Sequence, residues 1–265
     1  MDLNINNFKI GRLLGFGSHS RIYFAKFKES NKVCAIKIIS EQILKTIDPN
    51  IEVNALKNLK NEYIIEYKGS FVDNNRYCIV LECINHYDLY YLIKFNDLKE
   101  CDIANITKQI LIGLNYIHSK EIIHNDIKPE NILISSITDG KYKIKISDFG
   151  LSIFFNENLD FKKYWNTGTI IYMPPEKIRK EEFDYKVDLW CLGLVIYEML
   201  YKTITQNVFS DEMVYSSTPE NIILTYKGYR SLKAILFVQK FIKRNPKERI
   251  SIDEAMEDVF LSSQE

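Results

Sequence analysis

No run of apolar side chains in this sequence is long enough to cross a bilayer. The longest stretch, Leu189 to Tyr201, is interrupted by Glu198 and falls short of the roughly 20 residues a spanning helix needs. The opening residues, Met1 to Ile10, lack the basic segment and apolar core of a secretory leader. An excess of one charge is missing too. Lys and Arg number 35 and so do Asp and Glu, which argues against nucleic acid as the main partner. The five cysteines, Cys34, Cys78, Cys83, Cys101 and Cys191, form no C-x-x-C pair and are odd in number. Neither a zinc site nor a disulfide framework is expected, and a reducing, intracellular compartment (cytoplasmic or nuclear) is. There is no Pro/Gly/Ser linker, internal repeat or low-complexity tail.

What is present is an ordinary globular balance, 46% apolar and 26% charged over 265 residues, enough for a real core. Strand-like runs crowd the first third: KIGRLLG, RIYFAKF, VCAIKII, EYKGSF and RYCIVLE, separated by NN, ESN and DNN turns. Within them, the apolar positions 51, 53, 55, 56 and 59 fit one helical face. After Glu82 the pattern becomes helical. Cys101–His118 carries a single apolar stripe, Tyr185–Tyr201 is apolar nearly all round, and Ser231–Ile242 and Ser251–Val259 read as two more helices. Ser251 with Glu254 has the spacing of a capping box. The chain therefore reads as α+β, a small β-rich lobe (1–81) joined by a hinge (82–84) to a larger helical lobe (85–265), with a ligand cleft between them.

Four segments carry chemistry. Gly15-Phe16-Gly17-Ser18-His19-Ser20 could bring backbone amides close to phosphate oxygens, or could be a plain glycine hairpin. Lys37, alone in the apolar strand CAIKII, could pair with Glu52 on the following helix and sit on phosphates, or both could be unrelated surface charges. His124-Asn125-Asp126-Ile127-Lys128-Pro129-Glu130-Asn131 is more specific. Asp126 can accept or orient a hydroxyl proton, Lys128 can neutralise a moving phosphoryl group, and Asn131 offers Mg²⁺ the oxygen that hard cations prefer. Seventeen residues after Asn131 comes Asp148, in Ser147-Asp148-Phe149-Gly150, the natural main Mg²⁺ ligand.

This ordered set resembles the eukaryotic protein kinase family over essentially the whole chain. The resemblance implies a bilobal fold, ATP and Mg²⁺, and transfer of the γ-phosphate to protein hydroxyls. It places Gly15 and Gly17 over the phosphates, pairs Lys37 with Glu52, and makes Asp126 and Lys128 catalytic and Asn131 and Asp148 metal ligands. It puts Leu81 at the gatekeeper position and adenine on Glu82 and Cys83, with Leu14, Ile22, Ala35 and Leu133 around the nucleotide and Asp88 at the ribose. Asp188 in KVDLW matches an aspartate that ties down the catalytic loop, and Arg249 one that pairs with Glu176. Lys128 and Gly168-Thr169 point to serine/threonine substrates. Glu130 suggests basic residues just before the acceptor. PPE, KVDLW and the opening FKIGRLLG look Aurora-like, although Leu151 stands where that group prefers tryptophan and 202–227 matches poorly; Polo-like and calcium/calmodulin-kinase-like readings stay open. The alternative is a pseudokinase-like scaffold, suggested by Ser20 for glycine and Asn125 for the usual arginine. In many relatives that arginine binds a phosphate on the activation loop. Here no Ser or Thr lies between Ile153 and Asn166, and Trp165 occupies the usual phosphothreonine position. Activity without loop phosphorylation is therefore expected, with Trp165 as a buried-ring anchor and Ser152, Tyr164 and Thr167 as the hydroxyls left for modification.

Overall fold

The computed structural model describes residues 3–17, 20–156, 158–202 and 230–262. Ser18, His19 and the poorly matching stretch 203–227 lie outside these. The β-rich part is a five-stranded antiparallel sheet of β1 (Phe8–Gly17), β2 (Ser20–Phe27), β3 (Val33–Ile39), β4 (Tyr67–Asp73) and β5 (Arg76–Leu81), ordered β1-β2-β3-β5-β4. Between β3 and β4 lie α1 (Glu41–Leu44) and α2 (Pro49–Asn58). Asp48 caps α2 by accepting the Asn50 N–H, with Pro49 in the first turn, where its missing N–H costs nothing.

Strand alternation sorts the sheet into two apolar layers. Ala35, Ile39, Ile79 and Leu81 join the main core, while Ala25, Cys34, Ile36, Cys78 and Val80 pack outward against Phe8 and Phe71. Register follows the same logic: Gly15 pairs with Ile22, Ile22 with Lys37 and Lys37 with Ile79. Directly opposed residues share a face, so the two expected phosphate-site groups, Gly15 and Lys37, lie in one row on the face that carries Ala35 and Leu81.

The helical part holds α3 (Leu89–Phe95), α4 (Glu100–His118), α5 (Pro175–Ile178), α6 (Lys186–Tyr201), α7 (Leu232–Phe241), α8 (Ile252–Met256) and α9 (Val259–Ser262). It also holds the short strands β6 (Ile122–Ile123), β7 (Ile132–Thr138), β8 (Lys141–Ile146) and β9 (Ile153–Phe154). Every residue from Val187 to Leu200 of α6 is buried, as its all-round apolar pattern requires. The capping box at Ser251–Glu254 forms. One expectation is corrected. The helix read over 251–259 is two, because Asp258 turns its carboxylate onto the Phe260 N–H and starts a new turn. The architecture is the bilobal α+β arrangement of β-sheet followed by helices. Among the described residues no helix is long and apolar enough to cross a membrane, and all five cysteines are free thiols.

Candidate active site

Lys37 is the centre of the first constellation. Its Nζ lies 2.6 Å from Glu52 on α2 and 2.8 Å from Asp148 after β8. Burial alone would lower the Lys37 pKa, but the charges of Asp148 and Glu52 and their hydrogen bonds raise it well above the ordinary lysine value. Lys37 in turn holds Asp148 down to about 2, against the burial that opposes it. Burial wins at Glu52, whose carboxyl is pushed up despite Lys37. Asp148 sits at a positive φ of 60°, a conformation Asp tolerates better than most residues. The Asp148 Oδ1 is committed to Lys37, while Oδ2 has no hydrogen-bond partner among the described residues.

The second constellation is the loop between β6 and β7. Asp188, fully buried at the start of α6, accepts the His124 and Asn125 backbone N–H groups at 2.9 and 2.8 Å and contacts His118 Nε2 at 2.8 Å. Burial would raise its pKa; His118, His124 and these donors pull it below the usual carboxylate value. The loop so fixed presents Asp126. Its Oδ1 accepts both the N–H and the hydroxyl of Thr169, at 2.9 and 2.7 Å, and its Oδ2 lies 2.8 Å from Lys128 Nζ. Lys128 also donates to the Thr169 hydroxyl at 2.8 Å. A hydroxyl is thus already held between the carboxylate and the ammonium, which is what an acceptor serine or threonine would require.

Asn131 donates its amide N–H groups to the backbone and side-chain oxygens of Asp126. That fixes the amide flip and leaves the Asn131 Oδ1 as an acceptor without a donor among the described residues. Asn131 Oδ1 and Asp148 Oδ2 form an all-oxygen donor set suited to a hard cation such as Mg²⁺. No group of three or more His, Cys, Asp or Glu gathers into a complete cage among the described residues. An ion there would complete its shell from phosphate and water, as Mg²⁺ does at nucleotide sites.

Several residues expected around a nucleotide pack against the main core. Ala35 pairs with Leu81, both buried in the main core, with Leu14, Ile22 and Leu133 half-buried against the same core. Glu82 donates its backbone N–H to Glu66 O, and its carboxylate accepts the Glu66 N–H at 2.8 Å and pairs with Lys145 at 2.7 Å, which leaves its carbonyl without a partner among the described residues. Cys83 donates its thiol to Asn85. Asp88 bridges to Leu133 and spends Oδ1 capping α3, and burial raises its carboxyl pKa. A Cβ added at Gly15 would meet nothing within 4 Å, so neither packing nor φ demands glycine there; bare backbone next to Lys37 is the remaining reason.

The protein kinase domain family matches residues 8–261. The chain belongs to that family. It is 34% identical to an Aurora kinase of Debaryomyces hansenii over 96% of this chain and 62% of that protein. It is 32% identical to an Aurora kinase of Schizosaccharomyces pombe over 96% of this chain and 71% of that one, and 29% identical to mouse Aurora kinase C over 95% and 90%. The kinase is therefore of the serine/threonine, Aurora-like type, and spans somewhat under two thirds of the length of the first of these relatives.

Sequence reasoning singled out the residues around Lys37 and Asp126, which the structure brings together, but overlooked Lys177. This lysine, 2% exposed, donates to Asn125 Oδ1, to the Thr167 carbonyl at 2.6 Å and, more weakly, to the Thr167 hydroxyl at 3.3 Å. The signal was Asn125 itself, a neutral residue where a cation is usual.

Proposed function

We propose that this chain is an active, Mg²⁺-dependent serine/threonine protein kinase that needs no phosphate on its activation loop. The observation that carries the reading is Lys37 held between Glu52 and Asp148 at 2.6 and 2.8 Å, the arrangement a phosphate-binding lysine adopts in an assembled site. Mg²⁺ on Asn131 and Asp148 would neutralise phosphate charge. Lys37 would hold the α- and β-phosphates, Gly15 and Gly17 would lie over them, and residues 82–84 would form the hinge at adenine. The substrate hydroxyl would take the place the Thr169 hydroxyl now fills: Asp126 would orient it and accept its proton, while Lys128 would balance the charge on the transferred group.

Independence from loop phosphorylation rests on what the loop contacts instead. Asn125 sits at φ 66°, a left-handed conformation that Asn tolerates well, and spans the loop with Nδ2 to Leu151 O at 2.8 Å and to the Thr167 hydroxyl at 2.9 Å. Trp165 is half-buried rather than fully buried, and its Nε1 donates to Glu181 O at 2.9 Å. Of the hydroxyls considered for modification, Ser152 is 2% exposed and Thr167 is bonded within this network. Glu130, exposed beside Pro129 and Asn131, supports a preference for basic residues before the acceptor.

The test is radiolabelled γ-phosphate transfer to a degenerate peptide array by bacterially made, phosphatase-treated protein of unmodified mass. Transfer to Ser and Thr is expected, and Asp126→Asn should lower turnover by a factor on the order of 10²–10⁴. Absence of both Mg²⁺-dependent nucleotide binding and labelling would instead make the chain a scaffold.

A further inference from the structure

Lys177 is the first residue after Glu176 in α5, a one-turn helix opened by Pro174 and Pro175, and nothing in the phosphotransfer steps uses it. Its burial therefore needs another reason. The ammonium meets no carboxylate at hydrogen-bonding distance among the described residues. Its partners are an amide oxygen, a carbonyl and a hydroxyl, from Asn125 and Thr167, and the Phe183 ring lies 5.3 Å away. These partners come from separate parts of the site. Asn125 adjoins Asp126 in the catalytic loop. Thr167 adjoins Gly168, which has φ 105° and approaches so closely that a Cβ would lie 2.9 Å from Asn125 O. Thr169, next again, is the residue on Asp126 and Lys128.

We infer that Lys177 is a positioning residue: a cation built into the fold that pins the end of the activation segment to the catalytic loop, where related kinases use an arginine and a loop phosphate. This rests on the reading that the chain is a kinase active without that phosphate, and supplies its cause. A surface cation would be screened and mobile; a buried one with three oriented acceptors fixes both segments at once. Removing it leaves the buried Asn125 Oδ1 and the partly buried Thr167 carbonyl without this donor and frees the segment that carries Thr169.

Charge on Lys177 is poorly supported. Burial lowers its pKa to about 8, only partly offset by the carboxylates of Asp188, Asp126 and Glu176; the Cys191 thiol, itself pushed well above its ordinary value by burial, is neutral there. Asp188 is engaged by His118, Asp126 by Lys128, and Glu176 by Arg249 at 2.8 Å, so none of the three pairs with Lys177 directly. Loss of the proton weakens the tie to Asn125 and Thr167, and turnover should fall as pH rises through about 8.

The experiment measures turnover and ATP KM against pH for the unphosphorylated 265-residue chain with a peptide chosen from the array. Wild type should show an alkaline fall centred near 8. Lys177→Met should lose about tenfold or more in kcat, ~1.4 kcal/mol in barrier, with ATP KM little changed and no alkaline fall. Lys177→Arg, charged throughout, should recover most of kcat and also lack the alkaline fall. A flat wild-type profile overturns the inference even if Lys177→Met does not fold, and so does wild-type kcat in Lys177→Met. If phosphatase treatment alone removes activity from wild type, the underlying reading of phosphate independence fails instead.

Discussion

Two lysines are buried among the described residues of this kinase, and their surroundings set them to opposite tasks. Lys37, 8% exposed, faces two carboxylates, and its pKa is driven up; Lys177, 2% exposed, faces an amide, a carbonyl and a hydroxyl, and its pKa is driven down. Desolvation is the largest influence on both. What differs is whether counter-charge repays it. Lys37 stays an ammonium at any pH a cell reaches, as the phosphate-holding role proposed for it requires. Lys177 keeps its charge by a small margin, so the tie it makes is conditional.

The sharpest way to break the comparison is to remove the charge of Lys37. Lys37→Met should lower turnover by about 10²–10³, the scale for losing one preorganised electrostatic group, and should weaken nucleotide binding as well. Lys177→Met should leave nucleotide binding alone. If both variants weaken ATP equally, as measured by titration with a fluorescent ATP analogue, the two lysines do one job and the contrast fails.

Stability against pH separates them next. Lys177 has a folded pKa near 8 below its ordinary 10.5, so between these values the unfolded chain binds more protons than the folded one, and stability rises with pH. Activity should therefore fall over the range in which Lys177 makes the fold more stable, which excludes unfolding as the cause. Asp148 gives the acid counterpart. Its folded pKa, about 2, lies below the ordinary 3.8, so it stabilises the fold above 3.8 and that contribution is lost as pH falls toward 2. Thermal melts of wild type and Lys177→Met across both windows check this: the alkaline rise should shrink in Lys177→Met and the acid loss should persist.

Why the sequence disclosed one lysine and hid the other is a matter of range. Lys37 stands in an alternating strand where a charge is out of pattern, and Glu52 follows on a helix whose apolar stripe is plain; strand register and α2 then meet at 2.6 Å. The buried stripe of α4 and the all-apolar α6 were legible for the same reason, since periodicity is local. Lys177 follows two prolines and a glutamate and looks like any surface cation. What buries it is the return of 167–169 over the catalytic loop, a contact no local pattern encodes. The one-turn α1 (Glu41–Leu44) is too short to show a period, and the break between α8 and α9 depends on where the Asp258 carboxylate points.

The smallest expected effect concerns Trp165, the loop's other anchor. Its ring packs half-buried beside Ile123, Ile153, Phe183 and Val187, and its Nε1 donates to Glu181 O. A partly exposed hydrogen bond of this kind is worth about 0.5–1.5 kcal/mol, and the ring adds partial burial. Trp165 holds the middle of the loop, whereas Lys177 holds Thr167, two residues from the group on Asp126. Loosening at Trp165 should therefore be absorbed before it reaches the site as long as Lys177 keeps Thr167 fixed. Trp165→Ala should cost severalfold in turnover, less than Lys177→Met, and Trp165→Phe, which keeps most of the packing and loses the N–H, should fall between Trp165→Ala and wild type. The double variant Lys177→Met/Trp165→Ala should lose more than the product of the single losses, because each tie limits the damage done by losing the other. A Trp165→Ala loss greater than that of Lys177→Met would make the indole, and not the buried ammonium, the main fixture of the activation segment.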